Sequence, residues 1–220
     1  MVQLAWSAID TVLLDMDGTL LDLHYDNYFW QQHLPQVYAR QHNLSPMQAQ
    51  QQLMAQFAAE QGSLNWYCTD FWTETLGLDV VQLKHQIADK IAIRPHVLAF
   101  LQALQDSGRQ VILVTNAHRD SLALKMAKTQ LTPFFSALVS THDYALPKED
   151  VRLWSMLRAD FPFDPQRTLL IDDNEAILQT AQHYGIAHLL TLTQPDSQLA
   201  PRENLAFAAI LHFDEIMPHD

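Results

Sequence analysis

Chemistry-bearing residues stand at the ends of a series of short, continuously apolar runs, and this arrangement constrains the chain more than any other feature. The runs are Thr11-Val12-Leu13-Leu14, Val111 to Thr115, Ala137 to Ser140 and Thr168 to Asp172, with a weaker one from His188 to Leu192. Runs this short, with no alternation of polar residues, suit parallel strands covered on both faces. Between them lie stretches with helical spacing. Pro95 to Ser107 carries Val97, Leu98, Leu101 and Leu104 and stops at Gly108; Arg119 to Leu131, Glu149 to Phe161 and Glu175 to Tyr184 read the same way, the last with Gly185 behind it.

Strand and helix alternate from Val111 onward, but the interval after the first strand is different. From Asp22 to about Ile93 there is no comparable strand. Met47 to Glu60 is rich in Gln and Ala, with Ser45-Pro46 as cap and first-turn proline, and Leu83 to Ile91 continues the helical pattern. The expected fold is α/β: a doubly wound parallel-sheet (Rossmann-like) core with a small helical cap domain inserted after the first strand. Its boundaries are expected at 1–21 and 94–220 for the core and 22–93 for the cap, with Arg94-Pro95 as the return hinge. Ala206 to Phe213 reads equally as a last strand or a helix.

Composition narrows the partners. Thirteen Lys and Arg against 25 Asp and Glu give a formal net charge of -12, which repels nucleic-acid polymers and anionic membranes. Cys68 is the only cysteine, so no intrachain disulfide is possible and a reducing compartment fits. Neither a charged, apolar leader nor a run of membrane-spanning length is present, and a cytoplasmic location is expected. The 11 histidines are scattered without metal-ligand spacing, so no zinc site is expected, and Cys68 reads as a buried, inert thiol.

The strand ends carry Asp15-Met16-Asp17-Gly18-Thr19, Thr115-Asn116, Lys148 and Asp172-Asp173. Open α/β sheets bind ligands at that edge. Carboxylates gathered there repel one another unless a cation sits among them, and oxygen ligands without His or Cys favour magnesium. One carboxylate can attack phosphorus, a second two residues on can serve as acid and base, and a Thr hydroxyl with a Lys ammonium can hold the phosphoryl oxygens. Gly18 allows a sharp turn close to the phosphate. Singly, each of these is a common turn, cap or surface residue. Their conjunction, in order and at successive strand ends, is not.

Val12 to Thr19 resembles the first motif of the haloacid-dehalogenase superfamily, and Thr115, Lys148 and Asp172-Asp173 resemble the second, third and fourth. The resemblance implies Asp15 as nucleophile, Asp17 as acid and base whose backbone carbonyl touches Mg2+, and Thr115 and Lys148 on the phosphoryl group. It implies Asp173 as a direct metal ligand, and Asp172 as a ligand through water or a partner of Lys148. Phosphatases and mutases of the superfamily carry an acid at the position of Asp17, which dehalogenases generally lack.

Further segments, Leu21 to Trp30, Leu64-Asn65-Trp66-Tyr67-Cys68, Thr115-Asn116-Ala117-His118, Ser140-Thr141-His142 and Pro147 to Asp150, are similar to the bacterial GMP/IMP 5′-nucleotidases of that superfamily. The similarity implies a small-molecule substrate, GMP or IMP. Trp66, Tyr67 and Trp72 are candidates for stacking on a purine, or for cap core. Asn116, His118 and Arg119 are candidates for phosphate contact, and Asp26 and Asn27 for ribose or base. A phospho-accepting signalling domain is disfavoured because there the acidic pair, not the acceptor, follows the first strand. A catalytically retired module is disfavoured because every catalytic position is filled. A phosphatase or phosphomutase acting on a sugar phosphate is the remaining rival.

Overall fold

A computed structural model describes residues 2–218. Six parallel strands form one sheet in the order β3-β2-β1-β4-β5-β6: β1 Thr11–Leu14, β2 Gln110–Thr115, β3 Ala137–Ser140, β4 Thr168–Ile171, β5 His188–Leu192 and β6 Ala209–Ile210. The apolar continuity of the strands is explained by their two faces. Val12 and Leu14 of β1 pack into one core with Leu113, Leu169 and Ile171, while Leu13 enters a second with Ile112, Val114 and Leu170. Because neighbouring side chains point to opposite faces, both must be apolar when both are covered.

Helix α6 (Val97–Asp106) supplies Phe100, Leu101 and Leu104 to the first core, as α7 (Arg119–Thr129) supplies Leu122 and Met126. The second core takes Trp154 and Leu157 from α8 (Val151–Asp160), and Ile177, Leu178 and Ala181 from α9 (Glu175–Tyr184). Glycines end α6 and α9: Gly108 and Gly185 adopt φ of 69° and 107°, a left-handed conformation that a Cβ disfavours.

The chain between β1 and β2 is helical. It runs through α1 (His24–Tyr28), a π-helical turn (Phe29–His33), α2 (Leu34–His42), α3 (Pro46–Glu60), α4 (Thr69–Leu76) and α5 (Val80–Gln86). Ser45 opens α3 with a reciprocal capping box to Gln48, and Pro46 occupies the first turn, where its missing N–H costs nothing. Trp72, 1 % exposed, is the centre of an edge-on aromatic cluster with Trp30, Phe57 and Phe71. The chain enters and leaves this insertion side by side: Asp22 N–H donates to Ala92 O (2.9 Å) and Arg94 N–H to Leu20 O (3.0 Å).

Arg94 does more than turn the chain. Its guanidinium donates to the carbonyls of Gln194, Pro195 and Leu211, pinning the segments on either side of β6. The stretch that read equally as strand or helix is a two-residue strand beside β5, followed by a 3-10 turn over Phe213–Ile216. Among the described residues, no helix is long and apolar enough to cross a membrane.

Candidate active site

In β1, Leu14 lies opposite Leu113 of β2 and Ile171 of β4, so the next residues, Asp15 and Asp172, emerge side by side where the strand order reverses. Lys148, on the loop before α8, reaches between them. Its Nζ lies 2.5 Å from Oδ1 of Asp15, 2.7 Å from Oδ2 of Asp172 and 3.2 Å from the carbonyl of Val114. Burial would lower the pKa of this lysine, but Asp15 and Asp172 more than reverse it and keep the ammonium charged.

Asp15, Asp172 and Asp173 each place a carboxylate oxygen within 4.8 Å of the others. Burial pushes Asp15 up to about 6 against the pull of Lys148, and Asp173 well above its ordinary value, with Asp15 and then Asp172 adding to the rise. Oδ2 of Asp15 is buried and makes no hydrogen bond among the described residues. Three converging, desolvated carboxylates with an unused oxygen are what a hard divalent cation requires, so this donor set fits Mg2+. Both oxygens of Asp172 are already engaged, one by Lys148 and one by the N–H of Asn174 at 2.9 Å, which leaves Asp15 and Asp173 as the freer ligands.

The loop after β1 is shaped around Asp173. Gly18 has φ of 83°, and a Cβ built on it would lie 2.6 Å from Oδ2 of Asp173. The glycine is therefore required both for the turn and for the close approach of this carboxylate. Thr19, fully buried, accepts the N–H of Asp173 at 3.2 Å. Arg202 donates to the carbonyl of Asp173 at 2.8 Å.

Asp17 has a partner that strand-end motifs do not reveal. Lys125 of α7 holds its Nζ 2.7 Å from Oδ1 of Asp17 and 2.6 Å from Oδ2 of Asp26 in α1, while Lys84 of α5 lies 2.9 Å from Oδ1 of Asp26. Burial pushes Asp17 up to about 6, with Lys125 opposing. The chain Asp17-Lys125-Asp26-Lys84, with both lysines buried and both carboxylates partly so, joins the core to the insertion. The sequence signal for Lys125 was present: it sits three residues after Leu122, on the buried face of a helix, where a lysine requires a partner.

The site opens on a cavity of about 700 Å³ lined by Asp15, Asp17, Thr115, Asn116, Lys148, Asp172 and Asp173 on the core side. Trp30, Phe57, Trp66, Tyr67 and Trp72 line the opposite wall. Of these, Trp66 is 36 % exposed, while Trp72 is buried and donates its Nε1–H to the carbonyl of Trp66. Tyr67 donates its hydroxyl to Glu149 (3.1 Å), whose other oxygen accepts from Asn116 (2.9 Å). Oδ1 of Asn116 in turn accepts from Thr141 and from the N–H of Lys148, both at 2.9 Å. Asn116 thus positions the Lys148 loop.

Asp26 and Asn27 also line the cavity, but these and the other expected contacts have partners of their own. His118 is not at the cavity wall: its Nδ1 is 2.7 Å from Thr69 Oγ1 and 3.2 Å from Asp120. Asp26 has both oxygens taken by lysines, and Asn27 donates to Asp196 (2.7 Å). Arg119 pairs with Asp143 (2.5 Å).

Residues 9–185 match the family model described as haloacid dehalogenase-like hydrolase. The chain is similar to GMP/IMP nucleotidase YrfG of Escherichia coli, at 41 % identity over 99 % of this chain and 98 % of that protein. Its fold is similar to that of a solved phosphatase from Thermococcus onnurineus (TM-score 0.78, 20 % identity, 94 % and 95 % of the two chains). It is also similar to an enzyme from Bacteroides thetaiotaomicron solved with magnesium and inorganic phosphate (TM-score 0.61, 17 % identity, 84 % and 95 %).

Proposed function

The chain belongs to the haloacid dehalogenase-like hydrolases, and on that basis we propose that it is a cytoplasmic, magnesium-dependent 5′-nucleotidase that hydrolyses GMP and IMP. The observation that carries the reading is the unpartnered, buried Oδ2 of Asp15 at the wall of a cavity whose far side is aromatic. A phosphate fits beside Lys148 and Thr115, and a flat base fits beside Trp66. The full-length similarity to a nucleotidase supports the same substrate.

In this mechanism the carboxylate of Asp15 attacks phosphorus, and Asp17 gives its proton to the departing 5′-oxygen. Asp17, now ionised, takes a proton from water, which attacks the aspartyl-phosphate and releases phosphate. Lys148 offsets charge on the phosphoryl oxygens, and the hydroxyl of Thr115 donates a hydrogen bond to them. Asp15, Asp173 and the backbone carbonyl of Asp17 would hold Mg2+, with Asp172 acting through water or through Lys148. The ion would supply positive charge for the phosphoryl group and permit the carboxylates to coexist. The helical insertion, residues 22–93, acts as a cap that supplies base recognition and screens the intermediate from bulk water.

Phosphate release from GMP, IMP, CMP, UMP and a set of sugar phosphates tests this directly. GMP and IMP should be hydrolysed far better than the others, and nucleoside di- and triphosphates poorly. Trp66→Ala should raise KM for GMP and IMP while sparing a small artificial ester. Tyr67→Ala should raise KM as well and also slow the small ester, because it releases Glu149 from the Asn116 hub that positions Lys148. Equal rates across purine, pyrimidine and sugar phosphates would remove the nucleotidase reading.

A further inference from the structure

A second group of metal-ligating side chains lies outside the cavity, where the insertion meets the core. Cys68 stands at the start of α4, His118 at the start of α7, and His142 in the 3-10 turn (Thr141–Tyr144) after β3. One ligand atom from each lies within 4.8 Å of the other two. None of the three lines the catalytic cavity.

Each has the chemistry of a ligand. Nε2 of His142 is buried and makes no hydrogen bond among the described residues. Nδ1 of His118 is engaged by Thr69 and Asp120, the arrangement that orients a ligating histidine and leaves Nε2 for a metal. That Nε2 lies 3.6 Å from Oδ2 of Asp70. Cys68 Sγ is held in place by the N–H of Phe71 at 3.4 Å.

We propose that Cys68, His118 and His142 form a zinc site, its fourth position open to water, that clamps the insertion to the core. A tetrahedral ion with bonds of about 2.0–2.3 Å holds its ligand atoms about 3.3–3.6 Å apart, so side-chain rotations of about 1 Å complete the site. One thiolate and two imidazoles are borderline-soft donors that select Zn2+ over Mg2+, the reverse of the carboxylate site. On binding, the Cys68 thiol gives its proton to solvent as the sulfur–metal bond forms. The ion would tie α4 to the loops that follow β2 and β3, next to Asn116 and directly after Tyr67. The two metal sites would then do different work, one in the chemistry and one in holding the cap to the core.

The test uses the full chain, stripped of metal, refilled with excess Mg2+ and titrated with Co2+. One equivalent should bring up a thiolate-to-cobalt charge-transfer band, which can arise only at Cys68 because the chain has no other cysteine. Zn2+ should remove the band stoichiometrically. Cys68→Ser should not develop it, and His142→Gln, with its thiol intact, should bind Co2+ about tenfold or more weakly. Zn2+ should raise the unfolding midpoint of the wild type by about 5 °C and leave that of Cys68→Ser unchanged. Absence of the band in folded wild type overturns the site, as does a band of undiminished affinity in His142→Gln, which would mean that the lone thiol is the whole of the binding.

Discussion

The ammonium of Lys125 lies 2.7 Å from Oδ1 of Asp17, the residue proposed as acid and base; the lysine is buried and the carboxylate largely so. The position of this lysine bears on the chemistry, because it sets how readily Asp17 can exist as a carboxylate. Its second contact, 2.6 Å to Asp26, makes that chemistry depend on the insertion.

Lys125→Met should raise the Asp17 pKa further, making it a poorer proton donor. Hydrolysis of a nucleotide should slow roughly tenfold or more, with an activated aryl phosphate much less affected because its leaving group needs no proton. The variant should also lose about 3–5 kcal/mol of stability, since Asp17 is left buried without its cation. Rates on the two esters and a urea titration check both effects. An equal loss on both esters would reduce Lys125 to a structural role.

Asp15→Asn should abolish turnover, because an amide cannot form the acyl-phosphate. Asp17→Asn should reduce kcat by about 10²–10⁴-fold, most severely for poor leaving groups. Acid-quenched wild type should contain a phosphorylated aspartate that Asp15→Asn lacks. Near-normal phosphate release by Asp15→Asn would displace the nucleophile assignment.

Gly18→Ala probes the cation site without replacing a carboxylate. The new methyl would meet Oδ2 of Asp173 at 2.6 Å, in a backbone conformation that alanine resists. Asp173 must move, and half-saturation by Mg2+ should require about tenfold more ion. Exhaustive chelation should silence the wild type. Activity that survives chelation would refute a site built on Asp15, Asp17 and Asp173.

Asp26 predicts the acid limb of stability. Burial opposes its ionisation, but Lys125 and then Lys84 prevail and hold it down to about 2. A carboxyl depressed in the folded state stabilises above its ordinary value, near 4, and that stability is lost as pH falls toward 2. Asp26→Asn should therefore cost about 2 kcal/mol or more at pH 6 and progressively less below pH 4. A cost that stays constant between pH 6 and pH 3 would show that the pair does not carry it. Lys84 is the weaker partner, since its own burial lowers its pKa despite Asp26.

Much of the fold was legible because it is local. Thr11 to Leu14 are apolar at every position since both faces of β1 are covered, and Gly108 and Gly185 mark helix ends by their left-handed conformation. The carboxylates and Lys148 were legible as strand ends, because a parallel sheet carries all such ends to one edge. The Ala206 to Phe213 stretch was not, as its two-residue strand exists only through pairing with β5 and the grip of Arg94.

What the chain determines by itself is the order of its strands, helices and proposed catalytic residues, since backbone preference and apolar period act over neighbouring positions. Tertiary structure alone decided that Lys125 would meet Asp17 and Asp26, that Asp173 would fill the space a Cβ at Gly18 would need, and that Cys68, His118 and His142 would converge. Spacing along the sequence gave no hint of the last, because those residues belong to three separate elements. The physical reason is common to all three: buried charge and close packing are satisfied by whatever group the fold brings within a few ångströms, however far away it lies in the chain.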